Sequence, residues 1–274
     1  MHIYSLGSGG GWGDTAVCLS LEASLPSLFD HPVVTQRYFF PRAEAPREVH
    51  WLRTQNAQLA CRLAMHPQPG APLVVHFHGN GEVVADYESH IRWFHDAGAS
   101  VLFFEYRGYG ASTGVPEMAA MLDDVQELKD LLPCPLDDII VFGRSVGSIY
   151  AVEMASTFRQ VKGLVLESAV ASPMARVMLR AHPGELGATM EELEGEAARL
   201  FDHQAKMGRV KCPTLLLHAE HDSLVPVDNA VQLHAWCGSA RKELVRLPAG
   251  DHNSIMGANL QRYTAAFVDF VDGL

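Results

Sequence analysis

The sequence predicts an α/β fold: a mostly parallel central sheet with helices on both faces and a small helical cap. Short apolar runs, typical of buried strands, alternate along the chain with amphipathic stretches of helical period. One connection between two of these runs is too long to be a simple loop. With 274 residues, of which 48% are apolar and 19% charged, the chain can bury one large core and form a single domain.

The strand signals begin at residues 35–41 and 48–66, which have the composition of antiparallel edge strands with a turn near Gln55-Asn56. Four of the later apolar runs are short and continuous, as expected of parallel strands that are buried on both faces. They occupy residues 72–77, 138–142, 163–166 and 214–218, and a further short strand is predicted at 243–247. This order predicts antiparallel strands at one edge of a parallel sheet.

Helices are predicted between these strands. Residues 82–97 and 116–132 each place apolar side chains on one face at helical spacing, which is typical of helices that pack on a core. Pro116 stands at the first turn of the second helix, where a proline is tolerated. Residues 146–158 are compatible with a third helix, and another follows His252 at the C-terminus.

A cap is predicted from one long connection. Roughly 45 residues separate the strand at 163–166 from the strand near 214, whereas such loops usually have about 2 to 6. The connection is rich in helix formers and apolar residues, so we predict a helical cap at residues 170–207. Most of its apolar side chains are expected to pack on the core and the others to line an acyl pocket. Residues 1–34 are assigned to a glycine-rich N-terminal arm and residues 35–274 to the domain that carries the cap.

The segment Gly143-Arg144-Ser145-Val146-Gly147 stands directly between a predicted buried strand and a predicted helix. In that context, glycines two residues before and after a serine relieve crowding in a tight turn and let the hydroxyl project above the sheet. The N-terminus of the following helix favours developing negative charge. By itself, the pattern also fits an ordinary turn whose serine caps a helix. Ser145 is therefore a candidate nucleophile that requires partners.

A glycine-containing segment after the strand at 72–77 is a candidate oxyanion loop. It consists of His78, Gly79, Asn80 and Gly81. Glycines there allow backbone N–H groups to approach a substrate oxygen. We expect the backbone N–H groups of Asn80 and Val146 to receive the oxyanion that forms during acyl transfer.

Two further loops supply a candidate acid and a candidate base. Asp222 lies on the loop after the strand at 214–218, and His252 lies between the last strand and the C-terminal helix. The chain order Ser145, Asp222, His252 differs from the two other common triad orders. Asp251 is also a carboxylate beside His252, but adjacent loop residues rarely aim their side chains at each other, so Asp222 is preferred.

In these motifs the chain resembles the serine α/β-hydrolases with a small cap, especially the branch of bacterial hydrolases of unassigned substrate and acyl-protein thioesterases that remove palmitate. The resemblance covers residues 48–272 and includes the segment 104–114, which looks like a strand end of that family. The family usually has aspartate where this chain has Glu105, and His-Gly where this chain has His218-Ala219. Neither departure replaces a candidate catalytic group.

Motifs and resemblance together predict a serine hydrolase that cleaves a small-molecule carboxylic ester or thioester through an acyl-enzyme on Ser145. His252 is expected to accept the hydroxyl proton, and Asp222 to hold the tautomer of the imidazole. No cofactor is expected. Two alternatives stay open: a hydrolase-fold binding module without turnover, and a serine peptidase or lipase that uses the same three residues.

Composition narrows the class of partner. A net charge of −11 without a run of basic residues argues against nucleic acid or an anionic membrane as the main partner. The five cysteines are scattered, and His76 and His78 have no third ligand linked to them by a motif, so no metal site is predicted. No apolar run approaches the roughly 18 residues of a membrane span. The first residues lack the features of a signal peptide, so a cytoplasmic location is expected.

Overall fold

The computed structural model describes residues 26–274, in which eight strands form one sheet with helices on both faces. The strands are β1 (His50–Arg53), β2 (Gln58–Ala64), β3 (Leu73–Phe77), β4 (Ser100–Phe104), β5 (Ile139–Arg144), β6 (Gly163–Glu167), β7 (Thr214–Ala219) and β8 (Lys242–Leu247). Their spatial order is β1-β2-β4-β3-β5-β6-β7-β8. The pairs β1/β2 and β2/β4 are antiparallel, and every other neighbouring pair is parallel. The predicted fold class is confirmed.

Ten α-helices lie in the same part of the chain. They are α1 (Pro32–Tyr38), α2 (Ile91–Asp96), α3 (Ala120–Leu131), α4 (Gly147–Thr157), α5 (Pro173–Met178), α6 (Met190–Leu200), α7 (His203–Arg209), α8 (Asp228–Trp236), α9 (Ile255–Ala258) and α10 (Leu260–Asp272). Shorter 3₁₀ helices occupy Leu28–Asp30, Val84–His90, Leu136–Asp138 and Pro183–Leu186. None of the helices in the described range combines the length and apolarity that crossing a bilayer requires. Residues 1–25, most of the predicted N-terminal arm, lie outside the described residues.

The strand predicted at residues 35–41 is wrong, because α1 occupies most of that segment. Pro32 stands at the first turn, where its missing N–H costs nothing. The ring of His31 accepts a hydrogen bond from the backbone N–H two residues later (3.2 Å). Val34 and Tyr38, four residues apart, are both buried. The β-branched residues of the segment favour a strand, but the proline start and the helical spacing of the buried residues decide the structure.

The helix predicted at residues 82–97 is divided into the 3₁₀ helix that begins at Val84 and the short helix α2. The backbone N–H of Val84 donates to the carboxylate of Glu105 (3.0 Å), which follows β4. This bond ties the first turn to the end of the sheet, so regular α-helix begins only later. The helices predicted at 116–132 and 146–158 form α3 and α4, each shorter than expected at its start.

Alternate side chains of the parallel strands enter two separate cores, as the period of two requires. On β3, Val75 and Phe77 pack in the core that contains α3 and α4, whereas Val74 packs in the core that contains α2 and α10. His76 also faces the second core and stacks against Phe142 of β5 (4.9 Å between ring centroids). The first ten residues of α4 are all buried. The first of these cores therefore holds α4 behind the carboxyl end of β5.

The cap predicted at residues 170–207 contains α5, α6 and most of α7. Arg37 of α1 donates two hydrogen bonds to the carboxylate of Glu185 in the cap (2.9 and 2.8 Å). Near the C-terminal end of the cap, Lys206 of α7 forms an ion pair with Glu153 of α4 (2.5 Å). Polar contacts in the middle of the cap and near its C-terminal end therefore fasten it to the rest of the chain.

Candidate active site

Ser145 lies in the sharp turn between β5 and α4, and its backbone adopts the left-handed conformation (φ 52°). A residue other than glycine rarely adopts this conformation unless its surroundings hold it there. Here the backbone N–H of Ser145 donates to the carbonyl of Glu167 (2.9 Å). The hydroxyl of Ser148 donates to the carbonyl of Ser145 (2.6 Å) and accepts from the backbone N–H of Val170 (3.0 Å). Ser148 thus supports the turn, and no sequence motif distinguishes it from an ordinary helix serine.

Close packing requires the two glycines of this turn. A Cβ on Gly143 would lie 2.5 Å from the Cβ of Ala151, and a Cβ on Gly147 would overlap the backbone carbonyl of Phe77. These neighbours are backbone atoms or a methyl group, which cannot rotate away. The two glycines therefore allow α4 to begin directly against β3 and β5.

We expect Gly147→Ala to lower the free energy of unfolding by about 2–4 kcal/mol, because the added methyl overlaps backbone atoms of β3. Gly195→Ala is the matched control. Gly195 lies in α6, where an added Cβ meets no atom within 4 Å, so alanine should stabilise by about 0.5–1 kcal/mol. Urea unfolding followed by circular dichroism measures both variants. Equal stability of the two variants would contradict the packing described for the turn.

His252 lies between Ser145 and Asp222. Its Nε2 is 2.9 Å from Ser145 Oγ, and its Nδ1 is 2.7 Å from Asp222 Oδ2. All three residues are buried. Because an ionised carboxylate can only accept a hydrogen bond, Nδ1 carries the proton and Nε2 keeps a lone pair for the serine hydroxyl. The structure thus brings together three residues that the sequence predicts on three separate loops.

The loop that carries Asp222 also holds its carboxylate in place. Oδ1 of Asp222 accepts hydrogen bonds from the backbone N–H groups of Leu224 (3.0 Å) and Val225 (2.7 Å). Burial raises the pKa of Asp222, but the hydrogen bonds from His252 and Val225 outweigh burial and leave the pKa below its ordinary value. Asp222 is therefore ionised at neutral pH.

Asp251, the other carboxylate beside the histidine, bonds to loop atoms instead of the ring. Its Oδ1 accepts from the backbone N–H groups of Ser223 and His252 (both 2.7 Å), and its Oδ2 accepts from the Ser223 hydroxyl (2.7 Å). Hydrogen bonds from the Ser223 backbone and hydroxyl lower the pKa of Asp251 to about 2. Asp251 therefore joins the loop of Asp222 to the loop of His252.

The loop after β3 places Asn80 beside Ser145. The side-chain oxygen of Asn80 accepts from the backbone N–H of Phe40 (3.1 Å) and from the hydroxyl of Tyr109 (2.9 Å). The backbone N–H groups of Asn80 and Val146 donate to no group within residues 26–274, and both residues line the cleft above the serine. Two free N–H groups beside a nucleophile are the arrangement that stabilises an oxyanion.

The other residues of this loop support it. The ring of His78 bonds to the carboxylate of Glu105 (2.7 Å) and to the carbonyl of Gly79 (2.8 Å). Burial opposes the charged form of His78, but the charge of Glu105 outweighs burial and raises the pKa of His78. The backbone N–H of Gly79 donates to Glu82 (2.7 Å) and is not free for substrate. Gly81 adopts a positive φ of 80°, which a glycine permits.

The space above Ser145 is a cleft of about 130 Å³, which we call the Ser145 cleft. Segments that no sequence motif marks form part of its wall. They are Tyr38 and Phe40, at the end of α1 and just beyond it, and Arg176 and Arg180, in α5 and two residues beyond it. They lie far from Ser145 in the chain. Only the predicted cap indicated that residues near 176–180 would contribute to the wall of this cleft.

His76 and His78, two residues apart in β3 and the loop after it, have different partners. Within residues 26–274, no three or more His, Cys, Asp and Glu side chains are grouped so that they could hold a metal ion. His76 stacks against Tyr87 and Phe142, whereas His78 pairs with Glu105. Although only one residue separates them in the sequence, the rings of His76 and His78 therefore have different surroundings.

Arg144, next to the nucleophile, lies between two carboxylates. Its Nε is 3.0 Å from Glu167 Oε1, and its Nη1 pairs with Glu82. Its Nη2 donates to the carbonyl of His252 and to the side chain of Asn253 (both 3.1 Å). Arg144 also borders a second cavity of about 480 Å³ that reaches neither Ser145 nor His252. This arginine therefore connects β5, the loop after β3, β6 and the loop of His252.

We expect Arg144→Gln to lower the free energy of unfolding by about 3–5 kcal/mol near pH 8, since it leaves Glu82 and Glu167 without a counter-charge. Burial raises the pKa of Glu167 even with Arg144 beside it. A carboxyl whose pKa is raised in the folded state contributes stability that is fully present below its unfolded-state pKa and is lost as the pH rises through its folded-state pKa. The deficit of the variant should therefore shrink as the pH is lowered toward 5, which urea unfolding at several pH values measures.

Arg246→Gln is the matched control for this experiment. Arg246 pairs with Glu220 at the surface, where both side chains are at least one-third exposed, so its loss should change stability by no more than about 1 kcal/mol. A deficit for Arg144→Gln that does not change with pH would show that the two carboxylates are not its cause.

The chain is similar to several known proteins. Residues 68–201, a little under half of the chain, match the family described as serine aminopeptidase, S33. The α/β hydrolase domain-containing protein aho-3 of Caenorhabditis elegans is 28% identical over 215 residues, which are 76% of this chain and 60% of that protein. Protein bem46 of Schizosaccharomyces pombe is 29% identical over 189 residues, 66% of this chain and 62% of that protein. The chain therefore spans about three fifths of the length of these relatives.

Solved structures share the fold over most of the chain. The mouse α/β hydrolase domain-containing protein 10 has a TM-score of 0.63 and 17% identity, and the match covers 82% of this chain and 99% of that chain. A hydrolase from Pseudomonas aeruginosa PA01 has a TM-score of 0.62 and 23% identity, and the match covers 82% of this chain and 98% of that chain. The chain belongs to the α/β-hydrolase superfamily.

In this α/β hydrolase, the candidate site lies where α/β sheets usually bind ligands, at the carboxyl ends of the parallel strands. Ser145 follows β5, Asp222 follows β7 and His252 follows β8. The departures from the family pattern are Glu105 and Ala219, and neither residue lines the Ser145 cleft. The family resemblance of the motifs is confirmed at the level of the superfamily.

Proposed function

We propose that this α/β hydrolase is a serine hydrolase that cleaves a carboxylic ester or thioester through an acyl-enzyme on Ser145. The observation that carries the proposal is the position of His252, 2.9 Å from the Ser145 hydroxyl and 2.7 Å from the Asp222 carboxylate. A binding module without turnover needs no such chain of hydrogen bonds. The free N–H groups of Asn80 and Val146 beside the serine also support catalysis.

In the acylation step, Ser145 Oγ attacks the acyl carbonyl while His252 Nε2 takes the hydroxyl proton. The carbonyl oxygen becomes negatively charged and receives hydrogen bonds from the backbone N–H groups of Asn80 and Val146. Asp222 stabilises the imidazolium that forms. The bond to the alcohol or thiol then breaks, and His252 gives the proton to the leaving group.

Deacylation repeats these steps with water. His252 removes a proton from water, whose oxygen attacks the acyl-enzyme carbonyl, and the same two N–H groups bind the oxyanion. Collapse of the intermediate breaks the bond to Ser145 Oγ and releases a carboxylic acid. The proton held by His252 returns to the serine.

The Ser145 cleft favours a short ester over the amino terminus of a peptide or a long lipid chain. An aminopeptidase binds the ammonium group of its substrate, for which a carboxylate is the natural partner. Among the described residues that line this cleft, however, three are arginines and none is Asp or Glu. A volume of about 130 Å³ suits a short acyl group. Peptidase and lipase activity are therefore the weaker candidates.

The test is reaction with a fluorophosphonate, followed by peptide mass spectrometry and assays on p-nitrophenyl esters of increasing acyl length. We expect an adduct on Ser145, because the probe reacts with a serine that a neighbouring base activates, and the fastest turnover with short esters. Ser239→Ala, which removes another buried serine, is the control and should label like the wild type. A folded protein that takes up no probe and turns over no ester would favour the binding module.

A further inference from the structure

The charge at the Ser145 cleft is opposite to that of the chain as a whole. The chain has a net charge of −11. Of the described residues that line the cleft, however, three are arginines, namely Arg144, Arg176 and Arg180, and none is a carboxylate. Guanidinium groups gathered around one cleft produce a local field that attracts anions.

The charge of Arg144 is already balanced. It lies between Glu82 and Glu167 and pairs with both. The carboxylate of Asp222, behind His252, is bound by the His252 ring and by two backbone N–H groups. The carboxylates of Glu82, Glu167 and Asp222 are therefore all bound to other groups and do not pair with Arg176 or Arg180.

Arg176 and Arg180 have most of their hydrogen-bond donors free. Arg176 donates to the carbonyl of Leu224 (3.0 Å), and the guanidinium carbon of Arg180 lies 5.1 Å from the centre of the Phe40 ring. Neither arginine forms an ion pair with a carboxylate of residues 26–274. Burial raises the pKa of Tyr38 to about 12, and the positive charges of both arginines oppose this rise. Both guanidinium groups are therefore close to Tyr38 at the cleft wall.

The attachment of the cap accounts for one hydrogen bond of these two arginines, from Arg176 to the carbonyl of Leu224. Arg37 with Glu185 and Lys206 with Glu153 supply charged contacts between the cap and its surroundings. The remaining donors of Arg176 and Arg180 border the cleft that contains the nucleophile. The planar guanidinium matches the geometry of a carboxylate or phosphate, which it binds through two parallel hydrogen bonds.

We propose that Arg176 and Arg180 bind a carboxylate or phosphate that the substrate carries close to its scissile carbonyl. The inference rests on the proposed hydrolase function and narrows its substrate class to anionic esters or thioesters. The anionic group can belong to the acyl part or to the leaving group, and matched substrate pairs distinguish these two sources.

Within each of two pairs, the esters differ by one anionic group. For the acyl part, mono-p-nitrophenyl glutarate is compared with p-nitrophenyl valerate. For the leaving group, 2-(butyryloxy)ethyl phosphate is compared with 2-hydroxyethyl butyrate. The readout is the preference, defined as the ratio of kcat/KM for the anionic ester to that for its neutral partner. We expect a preference of at least about tenfold in one pair, mainly through KM, and a decrease of this preference at high salt.

The variants Arg176→Gln and Arg180→Gln are each expected to lower that preference about tenfold, because each removes charge-assisted hydrogen bonds. Arg180→Lys should keep part of it, since the positive charge remains. Arg199→Gln is the matched control. Arg199 belongs to the same cap, but its side chain is 67% exposed and pairs with Glu196, so the preference should not change.

Three results would overturn the inference. If all four esters are turned over without a preference, the proposed anion site is wrong, whereas the proposed serine hydrolase function is retained. An equal loss for charged and neutral esters in the Arg176→Gln and Arg180→Gln variants would show that these arginines only support the cap. If no ester is turned over, the proposed function fails, and calorimetry of the wild type with monomethyl glutarate and 2-(butyryloxy)ethyl phosphate decides. If the wild type binds one of these compounds and Arg176→Gln does not, the proposed anion site is supported. If the wild type binds neither compound, the proposal is wrong.

Discussion

Ser145→Ala is expected to lose at least about 10⁴-fold of the wild-type kcat toward esters, because a methyl group cannot attack a carbonyl. Only the rate enhancement of the free N–H groups of Asn80 and Val146 remains, and in comparable enzymes it is about 10³–10⁴ over the uncatalysed reaction. KM should change little, since the serine hydroxyl is a small part of the cleft wall. Steady-state kinetics on the best p-nitrophenyl ester measures both constants.

Ser148→Ala is the control for this variant. Ser148 lies three residues away in the same turn, but its hydroxyl bonds to the Ser145 carbonyl and the Val170 backbone. Its removal should therefore lower kcat by no more than about a hundredfold, the cost of a slightly displaced nucleophile. A Ser145→Ala protein that keeps more than about one hundredth of the activity, in a preparation free of wild-type enzyme, would contradict the assignment of the nucleophile.

Asp222→Asn is expected to lower kcat by about 10⁴-fold near pH 7. The amide can still accept the backbone hydrogen bonds of Leu224 and Val225, so the loop should keep its conformation. The amide N–H₂, however, donates toward His252 Nδ1 and forces the ring proton to Nε2, where it faces the serine instead of a lone pair. Kinetics across the pH range, together with the unfolding midpoint, separates this effect from a loss of stability.

Asp251→Asn is the matched control, and it tests the alternative that the sequence leaves open. Asp251 bonds to Ser223 and to the backbone of His252, not to the imidazole. We expect this variant to lose activity by no more than about tenfold, since the ring keeps its partner Asp222. If Asp251→Asn were the inactive variant and Asp222→Asn the active one, Asp251 would be the acid.

Much of the fold follows from local pattern. The buried strands β3, β5, β6 and β7 could be predicted because continuous apolar runs reflect burial on both faces, and the antiparallel edge was visible at residues 48–66. The buried strand β4 was indicated only at its end, by the family resemblance of residues 104–114. The strand predicted at residues 35–41 is wrong, because the local composition favours a strand, whereas the proline at the start of α1 and the burial of Val34 and Tyr38 favour a helix. Propensity is a weak guide where tertiary contacts decide.

The candidate site also has features that the sequence predicts and features that only the fold reveals. Ser145, Asp222 and His252 could be selected together because each stands on a recognisable loop and their order along the chain is distinctive. The strain at Ser145, the support from Ser148 and the two carboxylates around Arg144 could not be derived, because they depend on the distances between strands that neighbour one another only in the folded sheet.

By itself, the sequence determined the α/β class, the positions of most buried strands, the glycines of the turn at Ser145 and the choice of candidate nucleophile, acid and base. These properties depend on short-range periodicity and on the steric needs of a few adjacent residues. Only the tertiary structure decided that Arg144 is neutralised, and that Arg176 and Arg180 face the Ser145 cleft with open donors. The physical reason is that charge balance depends on distance in space, and the cap reaches the cleft only after the chain has folded.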